Sequence, residues 1–298
     1  MAFEVKIIAD SVNQGGDRIT TLQLKYPRFI HAEFMTHREF SRNASSSRAI
    51  PVAKMIEAVR EDPAMPIHWG VNQPGMQAHA ELDSHEQISA RFLWRKAANL
   101  AADRAEEMLS LNLHKQVVNR ILEPYQWMSV VMTTTNLQNF FHLRCHKDAQ
   151  PEIKYLADMM HSSYNKQKPL LLLPGEWHLP YITDVDRELV EDYCQISRVS
   201  EGLSKQAEIT ELLKRISAAR CARVSYLTHD GVAPDITKDI ELFDRLVGSS
   251  PLHASPTEHQ ATPDLTAGSK EGYSEPHLHG NFTGWVQHRK TLPGEYVV

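Results

Sequence analysis

Apolar and polar positions alternate over residues 3–9 and again over 18–25, where Thr20, Leu22 and Leu24 fall on one side. Between them Asn13-Gln-Gly-Gly-Asp17 is turn chemistry. The pattern predicts a hairpin at the start of the chain. An apolar run through Phe29, Ile30, Phe34 and Met35 then leads into Thr36–Arg48, where the periodicity stops. Residues 52–60 regain helical spacing. Residues 61–78, with Pro63, Pro66, Gly70, Pro74 and Gly75, read as an ordered loop able to act as a lid. From Ser84 to Asn119, Ile88, Phe92, Leu93, Leu100, Met108 and Leu109 recur at helical spacing, which predicts a long helix with a break near Leu111-Asn112.

Arg120-Ile-Leu-Glu-Pro124 ends that helix or opens a short connection. Residues 125–135, β-branched and aromatic, read as a strand, and Asn136 opens a helical stretch with Phe140 and Phe141. Further helices are expected from Gln150 to Tyr164, over 186–194, 205–226 and 236–247, with Pro-punctuated chain over 165–185. The last fifty residues hold little regular pattern and much His, Pro and Gly. No repeat or linker interrupts the chain. The expectation is one α+β domain over 1–298, with an antiparallel or mixed sheet and long helices: residues 1–160 carry the densest chemistry and 161–298 form the C-terminal part.

Composition narrows the function classes. A net charge of −5 disfavours a general nucleic-acid binder while allowing a local basic pocket. No apolar run approaches the length of a membrane span. The N-terminus reads as a strand and lacks signal-peptide features. Cys145, Cys194 and Cys221 are few, scattered and odd in number, which fits a reducing cytoplasm.

Chemistry concentrates in Thr36-His-Arg-Glu-Phe-Ser-Arg-Asn-Ala-Ser-Ser-Ser-Arg48. Three Arg, one His and four Ser leave only Phe40 and Ala44 apolar. Guanidinium forks and hydroxyls together satisfy phosphate oxygens, so this loop could hold an anion, with Arg120 and Arg144 either converging on it or, as each reads when taken singly, serving as surface or salt-bridge residues. A solvated basic loop is the alternative. Asn136-Leu-Gln-Asn-Phe-Phe-His142 could present amides to a heterocycle edge, or be a helix start with polar caps. His253-Ala-Ser-Pro-Thr-Glu-His259, with His277, His279 and His288, reads as a transition-metal site, as a loop serving an organic cofactor, or as surface histidine. The spacing matches no His-Glu-x-x-His site. Neither Gly-x-Gly-x-x-Gly nor a P-loop is present, so a dinucleotide would not be held in either of those ways.

Taken in order, these stretches resemble the flavin-dependent thymidylate synthases. Thr36–Arg48 is similar to that family's Arg-His-Arg signature, keeping His37, Arg38, Ser41, Asn43, Ser46 and Arg48. Arg120–Pro124 is similar to its Arg-x-x-Leu-Pro element, and Asn136–His142 to its Asn-Leu-Arg helix, 16 residues beyond Arg120. Leu143-Arg-Cys-His-Lys-Asp-Ala-Gln-Pro-Glu-Ile153 is similar to its Leu-Arg…Ala-Gln-x-Glu-Ile stretch. Ala218–Tyr226 and His253–His259 are similar to segments that normally precede the signature but follow it here, which implies a permuted or rearranged member. The tail Gly280–Lys290 has no secure counterpart.

The resemblance implies an enzyme that methylates dUMP at C5. Methylenetetrahydrofolate would supply the methylene and NADPH would reduce a noncovalent FAD. No Cys nucleophile would take part, in a homotetramer whose subunits share the site. Arg144, favouring the N3-deprotonated, polarised uracil, and Ser46 would be catalytic. Glu33, Ser45, Ser46, Ser47, Arg48, Arg120 and Arg144 would hold dUMP. Thr36, His37, Arg38, Asn43, Asn136, Gln138, His142, Ser225, His253, Ser255 and Glu258 would serve FAD, with no metal. Four positions depart from the family: Thr36 replaces Arg, Glu33 a usual Gln, Gln138 an Arg, and Ala44 a common Glu or Gln. These departures leave open hydroxymethylation, another pyrimidine nucleotide, or a nucleotide-binding homologue without turnover.

Overall fold

A computed structural model describes residues 3–196, 204–224, 235–264 and 272–296. Along the chain run β1 (Glu4–Val12), β2 (Arg18–Pro27), α1 (His31–Phe34), β3 (Ser41–Ala44), α2 (Val52–Glu61), α3 (Ser84–Ser110), α4 (Lys115–Val118) and β4 (Trp127–Thr134). There follow α5 (Gln138–Arg144), α6 (Pro151–Lys166), β5 (Leu170–Leu171), α7 (Asp184–Ile196), α8 (Lys205–Arg223), α9 (Ile236–Val247), β6 (Ala261–Pro263) and β7 (Trp285–Gln287).

The expected hairpin forms. Asn13 Oδ1 accepts from the Asp17 backbone N–H at 2.9 Å, and Gly16 takes φ 91°, a conformation that only glycine adopts without strain. β1 and β2 pair antiparallel, β4 adds antiparallel to β2, β3 adds antiparallel to β4, and β5 pairs parallel with β1. The order is β3-β4-β2-β1-β5. It is a mixed sheet with helices, as the sequence led one to expect.

Strand alternation sorts the two faces. Leu22, Leu24 and Tyr26 of β2, with Met128, Val130 and Met132 of β4, pack on Phe140, Ile153, Leu156 and Met160 of α5 and α6. Val131, on the other face, packs with Cys221 and Val224 around α8. Behind that face a buried ion cluster joins the C-terminal helices: Arg220 pairs with Asp186 at 2.6 Å and Asp239 at 2.9 Å, and Arg223 with Asp239 at 2.7 Å. Each buried charge is therefore compensated.

Three expectations need correction. Thr36–Arg48 is not loop throughout, because Ser41–Ala44 is strand β3. Its inward positions are Ser41 and Asn43, polar residues that find partners, so no hydrophobic alternation marks it. The long helix forms, capped by Asp83, and breaks at Asn112 (φ 59°). Its buried face, however, is Ala98, Ala102 and Ala105, while Ile88, Phe92 and Leu93 are each more than 60% exposed. The expected helix over 205–226 ends at Arg223, and its last two positions lie outside the described residues.

Candidate active site

Local hydrogen bonds set the turn between α1 and β3. The Thr36 hydroxyl donates to the Glu33 carbonyl at 2.7 Å. Arg42 Nη1 donates to the carbonyl of His37 at 2.9 Å and to those of Phe34 and Met35 at 3.3 Å. His37 lies edge-on to Phe140 of α5, with ring centroids 4.8 Å apart. Arg144, the last residue of α5, then reaches the turn. Its Nε donates to His37 Nε2 at 2.9 Å, its Nη1 forms an ion pair with Glu33, and its Nη2 lies 3.5 Å from the Thr36 hydroxyl.

His37 can accept because it is neutral. Burial, then the nearby Arg144 and Arg42 cations, push it down to about 4. Glu33, Thr36, His37 and Arg144 thus meet at one place. Glu33 and Arg144 face a hollow of about 1250 Å³, which Phe29, Trp94 and Tyr155 also line. The 61–78 loop contributes Ile67, His68 and Met76 to its wall.

The remaining nucleotide candidates lie elsewhere. Ser45 and Ser47 line a second hollow of about 430 Å³, with Arg28, Tyr125 and Trp127; the two hollows share no lining residue. Ser45 Oγ accepts from the Ser129 N–H at 3.1 Å. Ser47 Oγ donates to Glu123 Oε1 at 2.7 Å, and Glu123 also pairs with Arg28 at 3.1 Å and Arg120 at 3.3 Å. Ser46 is half-buried. Arg48 is exposed and forms no ion pair among the described residues. Arg144 thus contacts the first part of the signature, while Ser45 and Ser47 line the other hollow and Arg48 and Arg120 line neither. The four residues of β3 intervene, and extended chain of that length spans roughly 13 Å.

Among the cofactor candidates, Arg38, Asn136, Gln138 and His142 are exposed around the signature turn and α5. Asn136 also caps: its side-chain oxygen accepts from the Gln138 N–H at 3.2 Å, as the helix-cap reading expects. Asn43 is buried, and its amide donates to the Ser255 carbonyl at 3.2 Å. The segment that follows the signature in sequence therefore packs on the signature strand in space. His253 and Ser255 are exposed. Glu258 is held by Arg289 in an ion pair. Ser225 lies outside the described residues.

The C-terminal tail supplies contacts that the sequence did not reveal. Asn281 Nδ2 donates to the Glu39 carbonyl at 2.8 Å. Asn281 Oδ1 accepts from the Ser41 hydroxyl at 3.1 Å and from Gln287 Nε2 at 2.9 Å. The unplaced Gly-Asn-Phe-Thr-Gly run was the available signal.

The histidines divide among separate tasks. His259 Nδ1 bonds Thr133 Oγ1 at 2.8 Å, His279 pairs with Asp264 at 2.8 Å, and His288 is buried beside Trp177 and Phe243. Among the described residues no group of three His, Cys, Asp or Glu could hold a metal ion. Burial pushes the Cys145 thiol up to about 11 and raises Cys194 and Cys221 as well, so none is an activated nucleophile.

The sequence model of the thymidylate synthase complementing protein family matches residues 19–170, more than half of the chain. This chain belongs to that family. The matched span runs from β2 to β5 and contains Glu33, the signature, Arg120 and Arg144. Two solved structures are similar. One is a UMP/dUMP methylase PolB from Streptomyces cacaoi bound with 5-Br UMP, at TM-score 0.47 and 16% identity, covering 57% of this chain and 90% of that one. The other is the same methylase bound with 5-Br dUMP, at TM-score 0.45 and 15% identity, covering 57% and 91%. No curated protein matches. Among the described residues no helix is long and apolar enough to cross a membrane.

The family depends on flavin in general, and the donor set here fits one. Arg38 offers a guanidinium to a pyrophosphate, while Asn136, Gln138 and His142 offer amides and an imidazole to a ring edge.

Proposed function

We propose that this chain is a flavin-dependent thymidylate synthase, which methylates dUMP at C5 with methylenetetrahydrofolate and NADPH. The observation that carries this reading is the fixed guanidinium of Arg144, held by His37, Glu33 and Thr36 at the wall of a nucleotide-sized hollow.

Arg144 would meet the pyrimidine carbonyl edge and favour the N3-deprotonated, polarised ring, whose electron-rich C5 attacks the one-carbon unit. Preorganisation makes such a donor effective, because no reorganisation is needed during reaction. Neutral His37 holds the guanidinium plane in place. Ser45, Ser46, Ser47, Arg48 and Arg120 would take the phosphate. Arg38, Asn136, Gln138, His142, His253 and Ser255 would hold FAD, which when bound supplies the hydride that completes the methyl group.

Ser45 and Ser47 line a different hollow from Glu33 and Arg144 in one chain, and a second copy would bring the phosphate and base sides together. The exposed Ile88, Phe92 and Leu93 on α3 fit a face that such a copy covers. The active form is then a homo-oligomer, read as a tetramer from the family. The chain folds as one domain, with the C-terminal part buttressing the signature strand, and acts in the cytoplasm. The purified protein should show a flavin absorbance band that NADPH bleaches without oxygen; a colourless protein that takes up no added FAD would overturn this reading.

A further inference from the structure

We infer that Asn281 is a positioning residue for the cofactor: it fixes the turn that carries Arg38 against the segment that carries His253 and Ser255, so that the two present one surface to FAD. This rests on the flavin reading above and adds a residue that lies outside the signature and its companion motifs. Arg38 is exposed and sits between two anchored neighbours. On one side the His37 carbonyl accepts from Arg42 Nη1 at 2.9 Å and from the Phe40 N–H at 3.3 Å. On the other side the Glu39 carbonyl accepts from Asn281 Nδ2 at 2.8 Å, and the oxygen of the same amide accepts from the Ser41 hydroxyl at 3.1 Å. Asn281 thus straddles Phe40, whose buried ring packs on His37 and Phe140 with centroids 5.6 and 5.3 Å away. A primary amide suits this post, because one planar group offers a donor to the carbonyl and an acceptor to the hydroxyl.

Gln287 completes the clamp. Its Nε2 reaches Asn281 Oδ1 at 2.9 Å, the Glu258 carbonyl at 3.2 Å and Ser41 Oγ at 3.3 Å, which joins the signature turn to the turn over Ser255–Glu258. The Asn43 amide makes a second tie, to the Ser255 carbonyl. β3 ends the sheet, so these side chains, rather than a further strand, hold its free edge. Gly280 permits the close approach: it takes φ 63°, and a Cβ there would meet Gln287 Oε1 at 2.5 Å.

The test is fluorimetric titration with FAD of the full-length protein freed of flavin, as wild type, Asn281→Asp and Lys290→Ala, with a thermal melt of each. Aspartate keeps an oxygen for Ser41 and Gln287 but sets a second acceptor against the Glu39 carbonyl. It should weaken FAD binding about tenfold and shift the visible band of the flavin that still binds, with a melt matching that of Lys290→Ala. Lys290→Ala removes an ion pair with Glu295 further along the tail and should leave FAD affinity unchanged. Wild-type affinity and band in Asn281→Asp, an equal loss in Lys290→Ala, or a loss that comes only with a collapsed melt would each overturn the inference. Should Asn281→Asp fail to fold, hydrogen exchange on the wild type decides. Linkage is reciprocal, so FAD should slow amide exchange over residues 280–287, and unchanged exchange there would overturn the inference. A wild type that takes up no FAD would remove the flavin reading itself, and this inference with it.

Discussion

Arg144 Nε donates to His37 Nε2 at 2.9 Å, which ties the end of α5 to the turn before β3. A donor at Nε requires an unprotonated Nε2, and burial beside Arg144 and Arg42 holds His37 down to about 4. Its protonation is suppressed in the folded state, so this contribution to stability is full above about 6.5. It is lost as pH falls toward about 4. Histidine NMR should show His37 titrating near 4; titration near its ordinary value would mean that the bond is not made in solution.

Arg144→Ala should lower kcat by about a hundred- to a thousandfold, the range for loss of one preorganised donor. The ion pair with Glu33 is partly exposed, so stability should change by less than about 1 kcal/mol. Steady-state kinetics with a parallel denaturant titration separate the two effects, and unchanged turnover would remove Arg144 from the chemistry.

Ser46→Ala and Arg48→Ala should each weaken dUMP binding, the latter by about tenfold if one charge-assisted phosphate contact is lost. Neither residue lies in the core, so melting temperatures should hold. Equal affinity by calorimetry would place the phosphate elsewhere.

The separation of the two hollows makes a complementation test available. Arg144→Ala and Arg48→Ala proteins, each impaired alone at subsaturating dUMP, should regain part of the activity when unfolded together and reassembled as mixed oligomers. Phe92→Glu on α3 should yield monomers in sedimentation and abolish turnover. Activity from a monomer would show that one chain closes the site unaided.

A hydrogen-bonded chain crosses the core from Ser11 to His178, Thr21, Thr133 and His259, with spacings of 2.6–2.9 Å. Burial pushes His178 and His259 down to about 3, against an ordinary 6.5. The unfolded chain therefore binds more protons between those values. Stability should fall as pH drops from about 6.5, by up to about 1.4 kcal/mol per pH unit for each histidine. Thr21→Val should cost about 1–3 kcal/mol by stranding buried partners. A flat stability profile over that range would contradict the network.

Much of this architecture was legible from periodicity. The hairpin, α2, β4, α6 and α9 bury alternating or helically spaced apolar residues, which sequence displays directly. β3 escaped because Ser41 and Asn43 point inward and are satisfied by Asn281 and Ser255, some 210 or more residues away. The orientation of α3 escaped because its large residues face outward and its alanines inward. Arg144 and His37 were identifiable by motif, but their mutual hydrogen bond was not. Nor was the role of Glu123, which stands at the Leu position of Arg-x-x-Leu-Pro and gathers Arg28, Arg120 and Ser47.

The most direct measurement is the mass of the nucleotide after anaerobic incubation with the protein, dUMP, methylenetetrahydrofolate, FAD and NADPH. Thymidylate synthesis predicts a gain of one methyl group, dependent on Arg144. A gain matching hydroxymethyl, or an unchanged nucleotide while bound flavin is reduced, would contradict it.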